Sequence, residues 1–244
     1  MKRIIIALLI LTSLSAVSQE SVLLRVNYKK GDKYVVKVEQ KTNSGLQGGM
    51  NMNMTMSMLI KESDGKTFKT ESKIMSILMD MIQGGQTMSF DSSKKTEDLD
   101  QMGQMLKIQF DPMMKATIIN TISNLGESID VKVEPSIPGM DQLLDQSSSI
   151  SYPKEKVSVG SSWNSEDENQ GIKMKTIYKV LKISNGTVYL DIIGTVTGSS
   201  KGTIKGEAEI DVETGIQKKS ELEVSVSGSG VEIVAISKIS MTKA

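Results

Sequence analysis

IKMKTIYKVLKISNGTVYLDIIGTV, residues 172–196, decides the fold. Ile172, Met174, Thr176, Tyr178 and Val180 share one parity, and past Asn185-Gly186 so do Val188, Leu190, Ile192 and Val196. Successive side chains of a strand point to opposite faces, so each run presents one apolar and one polar face. Asn-Gly supplies two residues that tolerate positive φ, as a two-residue hairpin turn requires. The stretch predicts two antiparallel strands joined by a tight turn. Toward the C-terminus the pattern continues. Ile204, Ala208, Ile210 and Val212 alternate with charged and polar residues, Glu213-Thr214-Gly215 turns the chain, and Leu222, Val224 and Val226 lead through Gly228-Ser229-Gly230 to Val231, Ile233, Ala235, Ile239 and Met241. This is an antiparallel meander with one wet face and one buried face.

The N-terminal part repeats the plan in looser form. Tyr28-Lys-Lys-Gly31-Asp32-Lys-Tyr34 opens a strand carrying Tyr34, Val36 and Val38 on one face, as Val157-Ser-Val-Gly160-Ser-Ser-Trp163 opens the later one. A Met-rich strand, the Asp64-Gly65 turn, a strand from Phe68 to Ile82, the Gly84-Gly85 turn and Thr87–Asp91 follow in the matching order. The similarity reads as a degenerate internal duplication. Helical spacing is confined to the middle: Thr96 is a candidate cap for Leu99, Met102, Met105 and Leu106, and a second short helix is expected around Met140, Leu143 and Leu144. Between them, Ala116–Ser123 and Ile129–Val133 read as a hairpin. The expected fold is mainly β with minor α. It is a large curved antiparallel sheet or open barrel from two degenerate meander repeats, with one or two helices packed on it. The expected divisions are a signal peptide at 1–18, an N-terminal β-rich half at 19–134 with a helix near 96–107, and a C-terminal meander half at 135–244. The two halves are expected to form one continuous domain.

Lys2-Arg3, the apolar run Ile4–Leu11 and the small residues Ala16 and Ser18 form a secretory signal peptide, with cleavage expected near Ser18/Gln19. The run is shorter than the about 20 apolar residues a spanning helix needs, so no transmembrane segment is expected in the mature chain. The expectation is a soluble periplasmic or secreted protein. Losing residues 1–18 moves the balance from 29 basic against 29 acidic residues to 27 against 29, a net −2. A near-neutral chain lacks the basic surplus of a nucleic-acid binder, so no nucleic-acid partner is expected. The chain has no His and no Cys. Histidine-based catalysis, thiolate nucleophiles and the usual zinc sites are excluded, no phosphate-cradling glycine loop is present, and a carboxylate pair is all that is left for catalysis. No catalytic residues, no metal and no cofactor are assigned, and the protein is expected not to be an enzyme; a carboxylate-dependent hydrolase is the remote alternative.

The most unusual feature is Met50-Asn-Met52-Asn-Met54-Thr-Met56-Ser-Met58, which puts five thioethers on one face of a strand. Three readings are open. The face is core packing, methionine being an adaptable filler; or, with Met75, Met79, Met81, Met88, Met102 and Met105 nearby, it lines a cavity for an apolar ligand such as a lipid; or it holds a soft metal. In-line residues about 6.6 Å apart cannot all reach one ion, which weighs against the third. Met50, Met52, Met54, Met56, Met58, Met75 and Met79 are the candidate ligand-binding residues. Trp163 reads as core, the Glu166-Asp167-Glu168 run as a solvated loop, and Asp91 and Asp211 as carboxylates bonded to their own turns.

The signal ending before Gln19-Glu20, the Tyr28–Tyr34 opening, Tyr152-Pro153-Lys154 leading into Val159-Gly160-Ser-Ser-Trp163, and Asp211-Val-Glu-Thr-Gly215 together resemble an uncharacterised family of exported Bacteroidetes proteins. The resemblance implies no activity and no site residues. The expected sheet with packed helices is more distantly similar to the periplasmic lipoprotein-carrier fold, which implies acyl chains held on an apolar face. An apolar small molecule or lipid is therefore the first expected partner, and an envelope protein the second.

Overall fold

The computed structural model describes residues 20–45, 48–138, 150–169, 171–228 and 231–244. The expected signal peptide with its cleavage site and the helix expected around Met140–Leu144 lie outside them. In the first half the strands are β1 (Lys33–Asn43), β2 (Gly49–Ser63), β3 (Thr67–Gln83), β4 (Gln86–Asp91), β5 (Thr117–Ser123) and β6 (Ser128–Glu134), with α1 (Gln101–Lys115) between β4 and β5. In the second they are β7 (Ser162–Asn169), β8 (Ile172–Ser184), β9 (Thr187–Gly198), β10 (Lys201–Asp211), β11 (Gln217–Gly228) and β12 (Val231–Lys243). All join one open antiparallel sheet of order β6-β5-β3-β2-β1-β12-β11-β10-β9-β8-β7, with β4 attached to β3. It is not closed into a barrel. The chain walks outward from β1, restarts at the opposite edge with β7, and walks back until β12 pairs with β1, Val38 facing Ile239.

The duplication is written into the backbone. Gly31 and Gly160 have φ of 90° and 89°. Their amides donate to the carbonyls of Ile60 and Val180, both at 2.8 Å, and those residues donate back to the carbonyls of Asp32 and Ser161, both at 2.9 Å. Immediately after Ile60 and Val180 each strand carries a bulge. Asp91 and Asp211 close both series: Asp91 Oδ1 accepts the Ser93 amide at 2.9 Å and Asp211 Oδ1 accepts the Thr214 amide at 2.9 Å. The copies part company where β10 would be expected in the first one. There the outer edge of β3 is shared, β4 pairing with Leu78–Gln83 and β5 with Thr67–Ser72, and α1 occupies the excursion between them.

The helix starts later than its spacing suggests. Thr96–Asp98 is a single 3-10 turn, and Asp100 is the cap, its Oδ1 accepting the Gly103 amide at 2.7 Å. A carboxylate at that position satisfies one of the unpaired amides of the first turn. A Cβ on Gly103 would sit 3.1 Å from both that oxygen and Leu99 Cβ, so glycine lets the helix start close against Leu99. Leu99 and Leu106 are buried with Ile74, Ile77, Met79 and Phe90, and Phe110 stacks on Phe90 at 5.4 Å.

The main core lies at the opposite end of the apolar face. Val22, Leu24, Val26 and Tyr28 are buried there, together with Tyr152 and Val157, among Phe68 of β3, Ile60 of β2, Val180 of β8 and Leu190 of β9. Residues 20–28 form no strand beyond a bridge between Val22 and Val157, yet they tie the flanks together. The Val26 amide donates to Asn124 in the β5–β6 turn and the Asn27 amide to Thr214 in the β10–β11 turn. Tyr152 does the same, its amide bonding Leu125 and its hydroxyl the Gly215 carbonyl at 2.8 Å. In a flat sheet β5 and β11 would stand roughly 24 Å apart, five spacings of about 4.8 Å. The sheet therefore curls around these two segments with its apolar face inward.

Asp211 ties that closure down. Burial would raise its pKa, but Lys218 at 2.9 Å and the Thr214 amide and hydroxyl outweigh it and hold the carboxyl below its ordinary value. A lowered folded pKa stabilises above the unfolded value of about 3.9 and loses that stabilisation as pH falls through the folded one. Asp211→Asn is expected to cost about 1–2 kcal/mol at pH 7 and progressively less below about pH 4. Urea midpoints of both proteins at pH 7 and pH 3 check this.

Candidate functional site

Register places the apolar residues of neighbouring strands in continuous rows. From β1 outward, Val38 faces Met54 on one side and Ile239 on the other, and Thr42 faces Met50 and Ala235. Further round, Val224 faces both Ala235 and Ile204, Ile192 faces Tyr178, and Val196 faces Met174. At the core end these rows are covered. Toward the end carrying the β1–β2 and β9–β10 turns, Met50, Met52, Met174, Val224 and Val226 are only half-buried and Ile233 is 38% exposed. The deepest part is a cavity of about 90 Å³ lined by Tyr178, Ile192, Ile204, Leu222, Val224 and Ile239. Sites for whole small molecules run to about 300–1,000 Å³, so this recess admits a few methylenes and the rest of a ligand would lie along the open face. Burial first, then the charge of Asp167 at the rim, pushes the Tyr178 hydroxyl up to about 12, and it stays protonated at physiological pH.

The structure divides the candidate methionines. Met58 is in the main core; Met50, Met52, Met54 and Met56 are half-buried beside the α1 cluster; Met79 is buried within it. Met75 is not brought to the group and is 61% exposed. The cause is a bulge: Met56 faces Ile74 and Thr55 faces Ser76, leaving Met75 without a partner and switching the buried parity of β3 from even to odd. No parity rule written along the sequence reveals such a switch. Trp163 stacks on Tyr178 at 5.3 Å and donates to the Ser151 carbonyl at 2.7 Å. The Glu166–Glu168 run, expected as a loop, lies instead on the edge strand β7, with Glu166 paired to Lys175 at 2.8 Å and Glu168 to Lys173 at 3.3 Å. Cross-strand ion pairs let acidic residues occupy an exposed strand.

The sequence reading missed the polar face. A groove of about 550 Å³ crosses it between β1 and β8, lined by lysines and glutamates in equal number, with Lys238 and Glu221 paired at 2.9 Å. It is larger than the apolar recess, but its four lysines balance its four glutamates and leave it without a net charge to select a ligand. The uncovered apolar rows are the better candidate site.

Residues 139–230 match a family of unknown function (DUF6263). That segment takes in β7 to β11, the regular half of the sheet. No curated protein matches the sequence. Among solved structures, one of lipovitellin describing lipid–protein interactions is similar over 89% of this chain at 11% identity with a TM-score of 0.56. This chain spans 25% of that one, and the likeness is one of fold. A second, an outer membrane lipoprotein-sorting protein domain from Vibrio parahaemolyticus, aligns over 86% of this chain and 85% of its own at 9% identity, with a TM-score of 0.21. Among the described residues no helix is long and apolar enough to cross a membrane.

Proposed function

We propose that this chain is an exported, non-enzymatic protein of the cell envelope that binds an apolar molecule of the lipid class on the open part of its apolar face. The observation that carries the reading is the continuation of apolar rows past the covered core, from Met50 and Met52 through Ile233 and Val224 to Met174, with their side chains half-exposed. Flexible thioethers along one flank suit chains of varied shape. The shared sheet architecture of a lipid-binding lipovitellin supports the same reading.

Native mass spectrometry of the protein purified from its own envelope, followed by organic extraction, tests it. A stoichiometric lipid is expected. Changing Met52 and Met54 to Asp, or Val224 alone to Asp, should lower its recovery at least tenfold while circular dichroism stays unchanged. A clean apo mass with no uptake of added fatty acid or phospholipid removes the proposal. The assignment then passes to a structural role through the sheet edges, which is favoured by Ile129 standing 58% exposed on edge strand β6.

A further inference from the structure

Strand register changes what the methionines can do together. In β2 alone, neighbours on the face stand about 6.6 Å apart, too far for several to share one ion. Across strands the spacing is shorter. Met50 faces Met81, and Met81 faces Met88, so one row on three adjacent strands consists of thioethers alone. The next row inward begins with Met52 facing Met79. Directly opposed Cβ atoms stand about 4.5–5.5 Å apart, and each sulfur sits two bonds further out on a side chain with three rotatable bonds. Three sulfurs of the row can converge above Met81 without moving the backbone.

We propose that Met50, Met81 and Met88 form a binding site for a soft monovalent metal ion, of the Cu(I) or Ag(I) class, with Met52 and Met79 beside it. All three are half-buried, so the row is reachable from solvent next to the β1–β2 and β3–β4 turns. Thioethers select soft ions, and a chain without His or Cys offers no stronger soft donor to draw such an ion elsewhere. The ligands are neutral and carry no proton to lose. Binding here is therefore expected to be independent of pH, unlike that of imidazole, thiolate or carboxylate sites. The row shares Met50 and Met52 with the face proposed for lipid, but Met81 and Met88 lie outside that reading and the metal site stands or falls without it.

Silver(I), which needs no reductant, is the probe. Native mass spectrometry and competitive titration of the full mature chain are expected to show one tightly held Ag(I) per molecule, with the same affinity at pH 5 and pH 7. Replacing Met50, Met81 and Met88 together by Leu, a swap that conserves volume, should weaken binding at least tenfold with an unchanged melting temperature. Met75→Leu, at the exposed bulge, should leave it unchanged. Three results overturn the proposal: no stoichiometric Ag(I), an affinity that the triple variant retains, or a loss of the same size in Met75→Leu. The last would mean that ions scatter over surface thioethers and that the row is packing. If the triple variant melts early, the single variant Met88→Leu decides: unchanged Ag(I) affinity in it overturns the site.

Discussion

Gly215→Ala is expected to lower the unfolding free energy by about 3–5 kcal/mol, combining backbone strain with overpacking. Gly215 has φ of 63°, and a Cβ added there lands on the carbonyl carbon and oxygen of Arg25 and 2.7 Å from the Val26 amide nitrogen. These are backbone atoms of the segment that crosses the core, and they cannot rotate away. That segment is held on its other side too, since Arg25 donates to the carbonyls of Pro153 at 2.7 Å and Lys154 at 2.6 Å. Gly31→Ala is the matched control. Its φ is 90° but nothing lies within 4 Å of the added carbon, so only backbone strain, about 1–2 kcal/mol, is expected. Urea unfolding of both variants separates the clash from the strain. Equal losses would mean that residues 25 and 26 do not dock on the β10–β11 turn in solution.

The contrast between those two glycines shows which parts of the fold a sequence can reveal. Turns and face alternation are local: Asn185-Gly186, with φ of 52° and 67°, and the rows flanking it are legible because each residue's geometry depends on its neighbours in the chain. The two copies of the Gly31 and Gly160 openings are legible for the same reason. Bulges are not, because the extra residue at Met75 is defined by its missing partner on β2, and the composition around it is ordinary. Nor does a meander state which strand closes it; the β1–β12 pairing is fixed by burying both apolar faces on one interior. The methionine stripe illustrates both limits. Its shared face was legible in Met50–Met58, whereas its division among a core, a helix cluster and a row with Met81 and Met88 depends on register across three strands.

Leu24→Ala is expected to cost about 2–5 kcal/mol, the range for deleting a fully buried leucine side chain. It is 0% exposed although residues 20–28 belong to no strand or helix of the sheet. Leu23, beside it and 43% exposed, should cost under about 0.5 kcal/mol when changed to Ala. The alternation Val22, Leu24, Val26, Tyr28 could have disclosed the buried side, but what it is buried against could not be read locally, since the partners come from strands of both halves. That dependence sets the form of the result. Phe68 and Ile60 on one flank and Val180 and Leu190 on the other meet in one cluster through this segment, so a cavity at Leu24 weakens both flanks at once. Far-ultraviolet circular dichroism, reporting on the strands of both halves, and the fluorescence of Trp163, the single tryptophan, reporting on the second half alone, should change in one coincident transition shifted to lower urea. Two separated transitions, with the Trp163 signal unmoved by the substitution, would mean that the halves hold themselves together independently and that the crossing segment merely rests on the first.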